Sequence, residues 1–240
     1  MSIQALIFDV DGTMADTEEA HRVAFNLAFQ RYRLGWVWKP AEYRELLKVT
    51  GGKERLAHYI DGLAVPAYER RRLGSMVPDI HAEKTRFYSS FVADGAVPLR
   101  DGVAHLLDEA LAAGCKLAIA STTTAINIDA LLQSTLGLSG LQKFTAIACG
   151  DQVSAKKPAP DIYLRALSGL GLRPDQAIAF EDSPNGLRSA TAAGLRTVVT
   201  PNYWTEEGDF SAASLLLSTL AGLGLEELKA RIDTTQARVT

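Results

Sequence analysis

Two aspartates one residue apart, Asp9 and Asp11, follow an apolar run from Ile3 to Phe8 and precede Gly12-Thr13. The run has the length and composition of a buried strand, and Gly12 supplies the turn that ends it. Open α/β sheets bind their ligands at the carboxyl ends of strands, where these two carboxylates stand. Side chains two apart in a strand share a side, so both can serve one site in different roles. A carboxylate is ionised at neutral pH and can take a phosphoryl group, while a second one can carry protons. Asp-x-Asp-Gly also opens calcium loops, but those continue with acidic or amide ligands at position five and a Glu at position twelve. Here the two positions hold Thr13 and Ala20, and that reading fails. An acidic turn without chemistry stays open on this segment alone.

Three later segments bear on that alternative. Lys116 to Ala120 is a second strand candidate, ending in Ser121-Thr122-Thr123-Thr124. Lys156-Lys157-Pro158-Ala159-Pro160-Asp161 stands directly before an amphipathic stretch, and Ala177 to Phe180 runs into Glu181-Asp182-Ser183-Pro184-Asn185-Gly186. Strand-end carboxylates, a strand-end hydroxyl, a lysine before a helix and a second pair of strand-end carboxylates occur in that order. In order and residue type the four segments resemble the motifs of the haloacid dehalogenase superfamily, over Ile3 to about Pro201.

Under that resemblance the residue types divide the work. Asp9 is the candidate nucleophile, taking the phosphoryl group as an aspartyl-phosphate. Asp11 is the candidate general acid/base, protonating the leaving sugar oxygen and then deprotonating the attacking water. A phosphate ester beside several carboxylates is repelled unless a cation intervenes. A hard divalent ion, Mg²⁺, is therefore expected on oxygens of Asp9, the Asp11 backbone carbonyl and Asp182. Glu181 is either a further ligand or a group that orients the others. Ser121 and Lys157 are expected to hold phosphoryl oxygens. Of the adjacent lysines, Lys157 is favoured because the family's lysine directly precedes such a proline.

The elements that must position these residues follow from periodicity. After the first strand, residues 16 to about 92 read as helices, over 17–32, 41–47, 53–60 and 79–92. From Val97 helix and strand alternate: helices over 101–113, 126–136, 161–170 and 186–193, and strands over 116–120, 146–149, 177–180 and 196–200. A short strand within 212–217 and a last helix over 223–231 complete the pattern. Alternation of this kind implies an α/β fold, a Rossmann-like parallel sheet with helices on both faces. The all-helical stretch is read as an inserted cap of residues 16–94, with residues 1–15 and 95–240 forming the catalytic core. Trp36 and Trp38 are read as cap packing, His58 and His105 as structural; roles for His21 and His81 stay open.

Bulk properties agree with a soluble enzyme of ample core. The 240 residues carry a formal charge of −3, which gives no reason to expect nucleic acid or an anionic membrane as partner. Two cysteines, Cys115 and Cys149, are too few for a disulfide framework and read as buried thiols. No segment is long and apolar enough for a membrane span, and no leader is evident after Met1, so a cytoplasmic protein without an obligate protein partner is expected.

Within the superfamily the chain looks most like the CbbY-type sugar-bisphosphate phosphatases. The segments that carry this are Asp16 to His21, Glu42 to Leu47, Thr50 to Arg55 and the threonines Thr122, Thr123 and Thr124. The resemblance implies hydrolysis of xylulose 1,5-bisphosphate to xylulose 5-phosphate and phosphate. A bisphosphate needs a second anion site, and Arg44, Lys53 and Arg55 cluster around Gly51-Gly52 in the cap; Glu18 is a candidate for sugar hydroxyls and Arg188 for the distal phosphate. The alternatives are a β-phosphoglucomutase-like phosphomutase and a promiscuous sugar-phosphate or phosphoglycolate-type phosphatase. Glu54, where the mutase has a phosphate-gripping arginine, argues against the former. Asp11 argues against a dehalogenase, which lacks the second aspartate. A phosphonatase would need a Schiff-base lysine among Lys39, Lys48, Lys53 and Lys84.

Overall fold

The computed structural model describes residues 3–236. Six parallel strands form one sheet in the order β3-β2-β1-β4-β5-β6: β1 Ala5–Phe8, β2 Lys116–Ala120, β3 Ala146–Ala148, β4 Ala177–Glu181, β5 Arg196–Val199 and β6 Leu215–Leu216. The chain winds outward from β1 to β3 and then returns to β4, so the strand order reverses between β1 and β4. That reversal opens a crevice at the carboxyl ends of the two strands. Phe8 is in register with Ile119 of β2 and Phe180 of β4, which brings Asp9, Ser121, Glu181 and Asp182 to the same edge.

Strand alternation sorts the sheet's two faces. Leu6, Phe8, Leu117, Ile119, Ile178, Phe180 and Val198 fill one face, with Phe8 stacked on Phe180 at 4.4 Å between ring centres. The other face is mostly alanine: Ala5, Ala118, Ala120, Ala177 and Ala179 beside Ile7. Small side chains there let helix α8, Asp161–Leu170, approach the sheet with Ile162, Tyr163, Ala166 and Leu167. The long helices α6 Val103–Ala112 and α7 Ala125–Leu136 send their apolar stripes into the first face. Helix α9, Pro184–Ala192, starts on a Ser183 hydroxyl that accepts from the Gly186 backbone N–H at 3.1 Å, with proline at its first position. A last helix, α10, covers Leu225–Gln236.

Between β1 and α6 lie five helices: α1 Glu18–Arg31, α2 Pro40–Leu46, α3 Gly52–Asp61, α4 Ala67–Ser75 and α5 Val77–Ala93. They enclose an aromatic cluster around Phe25, Phe29, Trp38 and Tyr43, where Trp38 is fully buried as packing rather than ligand. Asn26 accepts from the Trp38 N–H at 2.8 Å and donates to its carbonyl at 3.0 Å, anchoring the loop between α1 and α2. Helix α4 is an addition to the expected elements. It buries only Leu73, so no apolar stripe marks it, and an Arg72–Glu69 pair and an Arg70 bond to the Leu63 carbonyl support it instead. Both cysteines are buried free thiols. Among the described residues no helix is long and apolar enough to cross a membrane.

Candidate active site

The crevice opens into a cavity of about 470 Å³. Its lining joins the core residues Asp9, Asp11, Ser121, Thr122, Thr123, Lys157, Asp182 and Arg188 to Glu18, Arg44, Gly51, Gly52, Lys53 and Arg55 of the helical insertion. Every site residue expected from the sequence lines this one space except Glu181, which lies beneath it.

At the floor the charges are paired. Lys157 Nζ donates to Asp9 Oδ1 and to Glu181 Oε1, both at 2.6 Å. Lys157 precedes α8 through a cis Lys157–Pro158 bond, while the Lys156 ammonium turns away to the Gly150 carbonyl. Burial raises the Asp9 carboxyl to about 7, with Glu181 and Asp11 pushing the same way and Lys157 opposing them. Asp182 is also pushed well above the carboxylate range, by burial and then by the charges of Asp9 and Glu181. It accepts from Asn202 Nδ2 at 2.9 Å and, more weakly, from Thr13 Oγ1 at 3.4 Å. Gly12 belongs here for two reasons: its φ is +83°, and a Cβ would come within 2.3 Å of Asp182 Oδ2.

Asp9, Glu181 and Asp182 form the acidic centre, with one oxygen from each lying within 4.8 Å of the others. Glu181 Oε2 is buried and has no hydrogen-bond partner among the described residues. Three carboxylates gathered in a buried site, two of them raised by burial and then by neighbouring carboxylate charge and one with an orphaned oxygen, make a donor set suited to a hard divalent cation.

Asp11 is held from the other side. It accepts from Thr17 Oγ1 at 2.7 Å and stands 2.9 Å from His21 Nε2. Lys84 Nζ lies 2.8 Å from His21 Nδ1. An ammonium only donates, so Nδ1 accepts and the ring proton sits on Nε2, facing Asp11. Burial alone would raise the Asp11 carboxyl, but His21, Thr17 and the charge of Lys84 outweigh it and leave it well below its ordinary range. Burial lowers His21 and brings Lys84 down to about 8. The sequence left His21 open and named Lys84 only as a Schiff-base alternative; its seat against His21 gives it an electrostatic task.

The insertion's cations differ in availability. Arg55 is buried, donating to the Leu46 carbonyl at 3.2 Å and to Tyr43 Oη at 3.1 Å, and Tyr43 in turn donates to Glu18 at 2.9 Å. Arg44 lies 4.4 Å over the Tyr203 ring, donates to the Tyr203 carbonyl at 2.6 Å and pairs with Glu207 at 3.1 Å. Lys53 has a single 3.4 Å contact to Asp151 and is half exposed. Arg188 donates to Asn185. Thr123 accepts from Asn127 Nδ2 at 2.9 Å, and its backbone N–H reaches Ser121 Oγ at 3.3 Å.

Sequence reading missed several members of the site: Thr17, Tyr163, Asn185, Asn202 and the 203–207 loop. Asn202 carried a usable signal, a polar residue just beyond a parallel strand at the sheet's ligand-binding edge. Thr17 and Asn185 stand close in sequence to Asp11 and Asp182, in segments already singled out for their resemblance, whereas Tyr163 and the 203–207 loop meet the site only through tertiary packing.

The haloacid dehalogenase-like hydrolase family matches residues 6–200. The CbbY protein of Rhodobacter capsulatus is 48% identical over 228 residues, covering 95% of this chain and 98% of its own. That of Cupriavidus necator is 49% identical over 218 residues, covering 91% and 86%. The crystal structure of a CbbY mutant from Rhodobacter sphaeroides in complex with xylulose-(1,5)bisphosphate superposes with a TM-score of 0.88 at 45% identity, covering 94% of this chain and 99% of the other. The chain therefore belongs to the haloacid dehalogenase-like hydrolases and, within them, to the CbbY-type phosphatases.

Proposed function

We propose that this enzyme is a Mg²⁺-dependent sugar-bisphosphate phosphatase that hydrolyses xylulose 1,5-bisphosphate to xylulose 5-phosphate and phosphate through an aspartyl-phosphate on Asp9. The observation that carries the reading is the pairing of Asp9 with Lys157 at 2.6 Å on the floor of a cavity that Asp11, bound to His21, enters from the side. Residues 16–94 act as a cap over a core of residues 1–15 and 95–240, of which 1–2 and 237–240 lie outside the described residues.

In this mechanism the substrate's 1-phosphoryl group lies over Asp9, its oxygens held by the Lys157 ammonium and the Ser121 hydroxyl. Asp9, Asp182, Glu181 and the Asp11 carbonyl would hold the cation, which when bound neutralises phosphoryl charge among the carboxylates. Asp9 attacks phosphorus, the phosphorus–oxygen bond to the sugar breaks, and Asp11 delivers a proton to the departing oxygen. The incoming phosphate's negative charge raises Asp11 from its low resting value toward protonation. Asp11, now ionised, takes a proton from water, whose oxygen attacks phosphorus and frees Asp9 and inorganic phosphate. The cap excludes other water during the first step. The second phosphate falls to Lys53, whose 3.4 Å contact to Asp151 is the loosest commitment among the cap cations that line the cavity.

The test is phosphate release with Mg²⁺ from xylulose 1,5-bisphosphate, ribulose 1,5-bisphosphate, fructose 1,6-bisphosphate, β-glucose 1-phosphate and phosphoglycolate. The expected kcat/KM for xylulose 1,5-bisphosphate exceeds the rest ten- to a hundredfold, roughly 1.4 to 2.7 kcal/mol of discrimination. A flat profile would reduce the reading to a promiscuous phosphatase, and an isomerised sugar phosphate without free phosphate would replace it with a mutase.

A further inference from the structure

Tyr163 has no part in the chemistry above: it sits on α8, fully buried, and does not line the cavity. Its hydroxyl donates to Glu181 Oε1 at 2.5 Å, the same oxygen that accepts from Lys157 Nζ at 2.6 Å. The Lys157 ammonium stands 5.2 Å from the centre of the Tyr163 ring. The carboxylate's other oxygen, Oε2, is buried without a partner among the described residues. Two donors thus converge on one oxygen and leave its twin as a free anionic acceptor within the acidic centre. A phenol that served only to fill the alanine-lined face of the sheet would need its ring and not its hydroxyl.

We propose that Tyr163 is a positioning residue that fixes the Glu181 carboxylate, reserving Oε2 for the divalent cation and keeping Lys157 shared with Asp9. The proposal rests on the reading of Asp9, Glu181 and Asp182 as a cation site. With the hydroxyl gone, Lys157 is the one remaining side-chain donor to Glu181 among the described residues. The carboxylate can then turn both oxygens to the ammonium, which costs the cation a fixed ligand and draws Lys157 off Asp9. Groups that orient metal ligands in this way typically change affinity ten- to a hundredfold.

The experiment measures Mg²⁺ and Mn²⁺ binding to the full chain by titration calorimetry, without substrate, so that turnover is not the readout. Tyr163→Phe keeps the ring and its packing, and it is expected to weaken both cations ten- to a hundredfold with an unchanged circular dichroism spectrum. In a Glu181→Ala background, where no carboxylate remains to be positioned, adding Tyr163→Phe should change affinity less than threefold. Equal affinities for wild type and Tyr163→Phe would overturn the proposal and leave the cation site standing. An undiminished effect in the Glu181→Ala background would also overturn it. A wild-type chain that binds neither ion would overturn the cation site and the proposal together.

Discussion

The side-chain amide of Asn185 donates to the Lys48 carbonyl at 2.9 Å and to Thr50 Oγ1 at 2.8 Å, joining the start of α9 to the turn that leads into α3. That turn ends at Gly51, whose φ of +95° requires glycine, and Gly52 then packs against His81 and Phe25. Asn185 therefore ties the glycine turn over the cavity to the strand end that carries Glu181 and Asp182. Asn185→Ala removes two hydrogen bonds worth about 0.5–1.5 kcal/mol each. It should raise KM for every phosphate ester several-fold while leaving cation affinity unchanged. Steady-state kinetics alongside Mg²⁺ titration checks this, and a loss of cation affinity would move Asn185 into the acidic centre.

Arg44 and Lys53 separate into different tasks. Arg44 is held by the Tyr203 ring and carbonyl and by Glu207, so it fastens α2 to the loop after β5. The Tyr43 and Trp204 rings meet edge to face beside it, 5.7 Å apart. Lys53 is free to turn from Asp151 to an anion. Lys53→Ala should raise KM at least tenfold for a bisphosphate and less than twofold for a monophosphate. Arg44→Ala should raise both alike, because it loosens docking rather than removing a phosphate ligand. An Arg44→Ala effect confined to the bisphosphate would return Arg44 to the distal phosphate site.

The fold and the floor of the site were legible in the sequence because both are written locally. Apolar runs mark strands, and the residues just past Phe8, Ala120 and Phe180 must gather at one edge once those strands pair in parallel. Helix α4 was not legible, since its polar surface carries no periodic stripe. The network behind Asp11 was not legible either: His21, which meets Asp11, and Lys84, which meets His21, are 63 positions apart and come together because α1 packs along α5. Basic residues around Gly51 showed that the helices between β1 and α6 carry cations, but not which of them the protein itself already engages. That distinction needs the 203–207 loop, whose approach no local pattern encodes.

His81 gives the pH dependence of stability a defined sign. Burial, with the charges of Lys84, Lys53, His21 and Arg55, holds its imidazole down to about 3. The unfolded chain takes up that proton near 6.5 and the folded chain only near 3. Between those values the unfolded state binds more protons, so this group's contribution is lost as pH falls, by about 1.4 kcal/mol per unit. Asp9 and Asp182, both raised, act in the opposite direction, so the test is a difference. Urea unfolding of wild type and His81→Gln at pH 7 and pH 5 should show wild type losing ~2 kcal/mol more than the variant. Parallel losses would mean that His81 is protonated within the folded protein.

Gly186 sets two opposing effects against each other. It lies in the first turn of α9, where alanine gains up to about 1 kcal/mol of helix propensity. A Cβ there, however, would come within 1.8 Å of Glu181 Oε2 and 2.1 Å of the carboxyl carbon. The carboxylate cannot yield freely, because Lys157 and Tyr163 both hold it in a buried site. Breaking such a buried pairing costs about 3–5 kcal/mol, so the clash outweighs the propensity. Gly186→Ala should therefore destabilise the protein by roughly 2–4 kcal/mol and lower kcat/KM at least tenfold. Shortening the acid relieves the collision, so Gly186→Ala with Glu181→Asp should regain stability relative to Gly186→Ala alone. Thermal unfolding of the two variants decides the matter: if the double variant is no more stable than the single one, the glycine serves the turn of α9 and not the carboxylate.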